Sequence, residues 1–557
     1  MASLTGRPPA ERGGWWHQYV CPAHGVELEH VGFEAGEFPV GGIPCAYGCR
    51  VDTEAVRGAW RVLAHHWWAR RIRLLSYDGQ GADLLTSYAR LYLELTKEGE
   101  HEQAQGWMQR GRLFHQALTD AVWGVPIAHA IRNLAGRAEL SETLPMLDDM
   151  VAGARRARDA MVAQDKFSSN YTAWFNALGI TAGQAAAAVR GEPWEGEKEW
   201  LTGEHGQFAH LEVSTGEDGW EWEASTYYHG FVLRAYLLSL RGHDPAAVPD
   251  RLEAMIAALA GIATDGGILP ALHDGPYLRV PLALEWLEIV ALARQFTSNH
   301  GLDAVAARAR AEVGPEYDGL EDRYDGWFAG PPRVGTRAHP PVVELTNSYA
   351  VIRVGGIHAV LDHGPHGGSH GHHDKLALYL YGATTPWQPD PGQVPYGHAE
   401  WRRHYTSVAA HPTIRIDGAD PEEATGVVVE SGPSFVTAEV SGWYDGVRAV
   451  RHVEAGDGYL VDVVRVEADR EREIVLQFRP DVDLTVRIEG DEVHTTWTGD
   501  EVLSGHHVAE GNAVPVTRPG PGPADDPQRT RTGLDWTVVG TTATFRSVYS
   551  INRSGGR

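Results

Sequence analysis

The hydrophobic period of this 557-residue chain changes near Gly314, and that change limits its fold more than any other feature. From Thr53 to about Val313, apolar residues recur at helical spacing in segments parted by Gly, Pro or Asp. Examples are Ala82 to Thr96, Leu140 to Ala163, Trp174 to Val189, Tyr227 to Leu240 and Leu282 to Phe296. The last follows Pro281, which suits a helix start, and the run Ala185 to Ala188 suits close helix packing. Paired helices of this number could close into an (α/α) toroid, although the pattern alone supports only an all-α domain. Beyond a stretch rich in Gly, Pro, Asp and Arg (Glu316 to Pro341), short β-branched runs alternate with polar residues. They are Tyr349 to Val354, His358 to Asp362, Thr413 to Ile416, Gly426 to Glu430, Tyr459 to Val466, Glu473 to Phe478 and Trp536 to Phe545. Turn signals such as Asp445-Gly446 and Asp457-Gly458 part them, which predicts an antiparallel β-sandwich. The expectation is an α+β multidomain chain: segment 1–52, helical domain 53–314, linker 315–341 and β-sandwich 342–557. A site is expected in the cleft between the two large domains.

A chain of this length needs at least two large cores. Met1 to Gly14 has no apolar h-region, and no apolar run approaches the roughly 18 residues of a membrane span. Three cysteines, an odd number, argue against a disulfide framework, so a reducing compartment and a cytoplasmic location are expected. The net charge of −26 argues against nucleic acid as a partner, because phosphate binding needs a basic face. It also weakly disfavours long anionic polymers, but screening over about 8 Å leaves local chemistry in charge for short oligosaccharides.

The densest concentration of titratable groups runs from Gly364 to Lys375 and includes His366, His370, His372, His373 and Asp374 among glycines. In an extended segment His370, His372 and Asp374 would face one side and His373 the other. Neutral imidazoles are good ligands for zinc-like metals, and Asp390 and His411 follow downstream, so a His/Asp/His ligand set is expected. The glycines point to close backbone approach.

Gly371-His372-His373-Asp374-Lys375-Leu376, then Asp390-Pro391-Gly392, then Ala410-His411-Pro412-Thr413-Ile414 together resemble the heparinase II/III-like domain. Pro412 departs from the Asn usual there. The resemblance implies an incomplete (α/α) toroid followed by an antiparallel β-sandwich. It also implies His370 near a substrate carboxylate, and a structural zinc held by His372, Asp390 and His411. Ser168 to Trp174 resembles the family's Asn-His segment, with Asn170 matching and Tyr171 standing where many members carry His. Glu223 to His229 resembles the catalytic-tyrosine helix, and the spacing Tyr228-x-x-Phe231-x-Leu233 favours Tyr228 over Tyr227.

The implied chemistry is β-elimination at a uronic acid of an oligo- or polysaccharide. Donors such as Asn170 and His370 would stabilise the extra charge that builds on the carboxylate. A tyrosine, ionised by its surroundings, could take the C5 proton or give one to the departing O4. His370 is the natural second acid/base, with Tyr396, His404 and Tyr405 as alternatives. Arg402 or Arg403 could pair with a carboxylate, and Trp174, Tyr227, His229, His366, Arg402 and Tyr405 complete the set expected near substrate.

Cys21, His24, Cys45 and Cys49 use every cysteine in the chain and could hold a second zinc in a small ribbon; three buried free thiols are the plainer alternative. Trp15, Trp16, His17 and Tyr19 beside them read better as core than as a sugar platform. Two rival readings remain open: a metal-dependent glycan hydrolase using the His/Asp/His site, and an inactive glycan-binding protein. Nothing in the residues fixes an oligomeric state, and a homo-oligomer is compatible with them.

Overall fold

The computed structural model describes residues 6–276, 278–313 and 341–551, so the predicted linker lies, apart from Pro341, outside the described residues. Helices fill the region from Glu54 to Val313 and antiparallel strands the region from Val343 to Ile551. Alternate long helices touch in succession: Glu54–Tyr77, Ala117–Leu134, Asn170–Arg190, Thr226–Ser239 and Val280–Ala293. These form the inner ring of an incomplete (α/α) toroid, and their burial shows why. Val280–Ala293 buries residues all round its circumference, from Leu282 to Ala293. The outer helix Leu144–Ala163 instead buries one stripe, Met146, Leu147, Met150, Ala154, Ala157 and Met161. A helix apolar on every side can only sit inside, and one with a single stripe lies over it.

The β domain has a five-stranded sheet and a ten-stranded sheet, antiparallel throughout the described pairings. The small sheet, from Val343–Leu345 to Pro386–Gln388, is a middle layer. Successive side chains alternate between its faces. Ala350 and Ile352 join the sandwich core with Val436, Val464 and Trp536. Tyr349 and Val351 pack against Trp220, Ile262 and Leu272 of the helical domain. Burial on both faces makes these strands read as continuous apolar runs, and it docks the two domains through an apolar interface. The runs expected at 459–466 and 473–478 are one strand, Tyr459–Phe478, whose pairing with Thr530–Ile551 shifts register between Glu467 and Arg472. No described helix is long and apolar enough to cross a membrane.

Candidate active site

A cavity of about 550 Å³ opens where the inner helices begin. Gln116, Asn170, Tyr171, Tyr227, Tyr228 and Pro281 line it, all in or beside the first turn of an inner helix. Helix starts carry partial positive charge and unpaired N–H groups, so this arrangement favours an anion despite the acidic surface. Ser169 and Ser225 cap two of these helices by accepting from Tyr171 N and Tyr228 N. The β domain closes the cavity with Ser369, His370, Tyr396 and Arg402, and the N-terminal segment adds Trp15, Trp16 and His17.

At the centre the Tyr228 and Tyr396 hydroxyls lie 2.9 Å apart. Tyr396 donates to Asp274 Oδ2 at 2.7 Å, and Arg402 Nη1 reaches both Asp274 oxygens at 2.9 and 3.0 Å. The Arg402 guanidinium also sits 4.1 Å over the Tyr396 ring. The His370 ring stacks on Tyr228 with 3.6 Å between ring centres. Burial, reinforced by the Asp274 charge, pushes the Tyr228 phenol well above its ordinary value. That shift disfavours an ionised Tyr228, against the expectation of a tyrosine ionised by its surroundings. Burial opposes charge on Asp274, yet His372 and Arg402 hold its carboxyl below the usual range.

Glu223 organises the opposite wall. Asn170 Nδ2 donates to its carboxylate at 3.0 Å, and His370 Nδ1 lies 3.0 Å from the same group. Asn170 Nδ2 also reaches the second Glu223 oxygen at 3.3 Å. Gln116 Nε2 donates to the Tyr171 hydroxyl at 2.8 Å, and burial with the Glu223 charge raises that phenol to about 12. The histidine loop docks here because its glycines allow it. A Cβ on Gly367 would meet the Glu223 carbonyl at 2.3 Å, and one on Gly371 the His366 carbonyl at 1.7 Å. Ala224 and His273, neighbours of Glu223 and Asp274, both adopt left-handed backbone (φ 55° and 60°), a strain typical of functional segments.

Beneath the cavity, His372, Asp390 and His411 bring ligand atoms within 4.8 Å of one another, and all three are fully buried. His372 Nε2 faces Asp274 Oδ1 at 3.2 Å, leaving Nδ1 toward Asp390 Oδ1 at 3.7 Å, with no hydrogen bond among the described residues. His411 Nε2 faces the Tyr405 carbonyl at 2.9 Å, which leaves Nδ1 as the basic atom. Such outer partners are what orient metal-bound imidazoles. Burial lowers His411 to about 3, keeping it neutral, and raises Asp390 to about 6 against the pull of His372. Two neutral imidazoles and a carboxylate with their ligand atoms this close make a donor set that fits a zinc-type ion.

The alternation expected in the histidine loop is broken by a turn at Gly368–His370. His370 consequently faces the cavity, His372 the ligand set, and Asp374 a separate buried group with His273 and Lys375. Several other expected positions lie elsewhere. Trp174 is core, packed on Phe231. His229 is buried, with Nε2 at the Met255 carbonyl and Nδ1 accepting from Glu221 N. Tyr405 donates to the Gly522 carbonyl from a small apolar cluster, and His404 packs on Trp401 and Tyr405. His366 sits behind the loop against His373, and Arg403 is exposed. In the other direction, Trp15, Trp16 and His17 line the cavity where core was expected. Asp274 and Glu223 went unassigned: single carboxylates outside the histidine cluster carry no spacing signal.

Residues 346–541 match the family model described as heparinase II/III-like, C-terminal. No curated protein matches the chain by sequence. Among solved structures it resembles a heparinase III with methylated lysines, at 15% identity and TM-score 0.62, over 89% of this chain and 78% of that one. A mutant of the heparan sulfate lyase HepC from Pedobacter heparinus is similar at 15% identity and TM-score 0.59, over 90% and 77%. A second heparinase III structure gives 14% identity and TM-score 0.61, over 92% and 80%. At these identities the shared property is the fold. The β domain thus matches the heparinase II/III-like C-terminal model, and the order of toroid and β-sandwich is the fold of these heparinase III structures.

Proposed function

We propose that this chain is a polysaccharide lyase that cleaves the bond at O4 of a uronic acid by β-elimination, leaving a 4,5-unsaturated uronate. The observation that carries the reading is the Tyr228–Tyr396 hydroxyl pair, with His370 and Asn170 beside it, at the start of the inner helices. The uronate carboxylate sits at those helix starts, beside the Asn170 amide and the Arg402 guanidinium. Tyr228, whose hydroxyl meets that of Tyr396 and whose burial disfavours ionisation, serves as the acid on departing O4. His370, stacked on its ring, takes the C5 proton. The C4–O4 bond breaks as the C4–C5 double bond forms, and no water is consumed.

His372, Asp390 and His411 hold a structural Zn2+ in this reading. The burial of all three speaks for a closed site rather than one open to a nucleophilic water. The ion would fix His372, and through its ring Asp274, the anchor of Tyr396 and Arg402. The substrate is an anionic, uronate-containing oligosaccharide, for which Arg70, Lys166, Arg279 and Arg402 line the cavity.

The test is incubation of the purified chain with a panel of uronic-acid oligosaccharides, following near-ultraviolet absorbance of the conjugated product, beside Tyr228→Phe. Absorbance that rises on one substrate and vanishes in the variant is the expected result. New reducing ends without absorbance would replace the lyase with a metal-dependent hydrolase.

A further inference from the structure

Outside the cavity, the three cysteines converge on one atom. Sγ of Cys21, Cys45 and Cys49 lie 3.4, 3.6 and 3.5 Å from Nδ1 of His24. One imidazole nitrogen offers a single proton or a single lone pair, so it cannot hydrogen-bond three thiols. A tetrahedral zinc with Zn–S about 2.3 Å and Zn–N about 2.0–2.1 Å separates sulfur from nitrogen by about 3.5 Å. All three distances meet that value. The four ligand atoms lie within 4.8 Å of one another, which leaves the centre of the tetrahedron to a cation.

The local backbone is built to present them. Gly25 N donates to the Cys21 carbonyl at 2.8 Å, closing a turn that carries Cys21 and His24. Cys45 and Cys49 cap the two-stranded ribbon Ile43–Pro44 with Arg50–Val51, where Cys45 N donates to the Cys49 carbonyl at 2.9 Å. Tyr47 N donates to Cys45 Sγ at 3.5 Å, an N–H to sulfur contact that stabilises a thiolate.

The knot is seated on the β domain. A Cβ on Gly25 would meet the Trp401 ring at 2.2 Å, in the helix Ala399–Thr406 that carries Arg402. Gln528 Nε2 donates to the His24 carbonyl at 2.9 Å, and Tyr47 donates to Asp526 at 2.5 Å. A few residues before Cys21, His17 stacks 4.0 Å from the Tyr396 ring, and Gly397 N donates to the His17 carbonyl at 3.0 Å.

We propose that Cys21, His24, Cys45 and Cys49 bind one Zn2+ in a closed structural site that clamps the N-terminal segment onto the β domain. That clamp holds Trp15, Trp16 and His17 as a wall of the cavity. The metal assignment stands without the lyase reading; the part about a substrate wall rests on it.

The experiment loads the full chain with Co2+ in place of Zn2+ and records the absorption spectrum, a readout that needs no activity. Thiolate-to-cobalt charge-transfer bands are expected, because the His372, Asp390 and His411 set has no sulfur. The bands should weaken in Cys49→Ser, vanish when Cys21, Cys45 and Cys49 are all replaced by Ser, and persist in His411→Ala. A cobalt-loaded wild-type chain without them, whose thiols react equally fast with and without chelator, would overturn the site even if no variant folds. Hydrogen exchange tests the clamp: faster exchange over residues 15–30 in Cys49→Ser supports it, and unchanged exchange there overturns it. Loss of charge transfer and loss of lyase activity are separate results, so either reading can fail alone.

Discussion

The carboxylate of Asp274 faces Nε2 of His372 at 3.2 Å through one oxygen, receives Tyr396 on the other, and is reached by Arg402 at both. One buried group thus joins the metal-type site to the floor of the cavity, although none of the three ligand residues lines that cavity. The consequence is that changes below the floor should be felt in the chemistry above it.

Replacing His372 with Ala should release one zinc per chain and lower kcat by roughly 10- to 100-fold, with KM little changed. Metal analysis and steady-state kinetics check this together. Full activity in a zinc-depleted His372→Ala chain would sever the coupling through Asp274.

Tyr228→Phe should lower kcat by about 10²- to 10⁴-fold, the range for losing a positioned acid. Tyr396→Phe keeps the ring under Arg402 and removes only the bridge between Tyr228 and Asp274. Its loss should be smaller, about tenfold, and equal in kcat and kcat/KM. A Tyr396→Phe defect as deep as that of Tyr228→Phe would instead make Tyr396 the acid.

Glu223 holds both Asn170 and His370. Glu223→Gln keeps the shape but changes what each partner meets, so activity should fall about tenfold or more while the thermal midpoint moves little. An unaltered rate would mean that this wall does not set the geometry of the reaction.

Inside the toroid, Glu288 pairs with Arg73 and with Arg234 Nε at 2.6 Å, all three buried. Glu288→Gln removes a buried carboxylate that these two arginines share, leaving Arg234 with Glu285 at 3.3 Å, and should cost about 3–5 kcal/mol in denaturant unfolding. A loss below about 1 kcal/mol would show that the arginines find other charge partners.

Buried histidines should make the chain acid-labile. Burial lowers His65, His210 and His229 to about 4 and His507 to about 3, against about 6.5 in an unfolded chain. Between these values the unfolded chain binds more protons, so stability rises with pH, is complete above about 6.5 and is lost as pH falls toward 4. Even discounted to a third, four such sites cost on the order of 5 kcal/mol. Urea midpoints that stay level from pH 7 to pH 5 would contradict this.

Much of the architecture was legible along the chain because it follows from side-chain period. Ala82–Thr96 and Tyr349–Val354 begin and end where the pattern places them, since amphipathic helices and alternating strands are local consequences of which residues need burial. Tyr459–Phe478 looks like two runs along the chain because the exposed charged stretch around Asp469 to Arg472 interrupts the apolar pattern at a register shift. Tyr228, Asn170 and His370 stand out along the chain through a family resemblance. Trp174 and His229 share the same stretches yet lie in the core: Trp174 stands one turn further into its helix than Asn170, and His229 is turned about 100° from Tyr228.

The sequence by itself determined the two kinds of domain, their order, and the pool of groups able to do chemistry. Those are properties of local period and residue type. Only the tertiary structure decided which groups meet. Asp274 reaches Tyr396 across 122 residues, and His17 reaches the same ring from the far end of the chain. Such contacts depend on how helix starts, the histidine loop and the N-terminal segment pack against one another, and no local pattern encodes that distance.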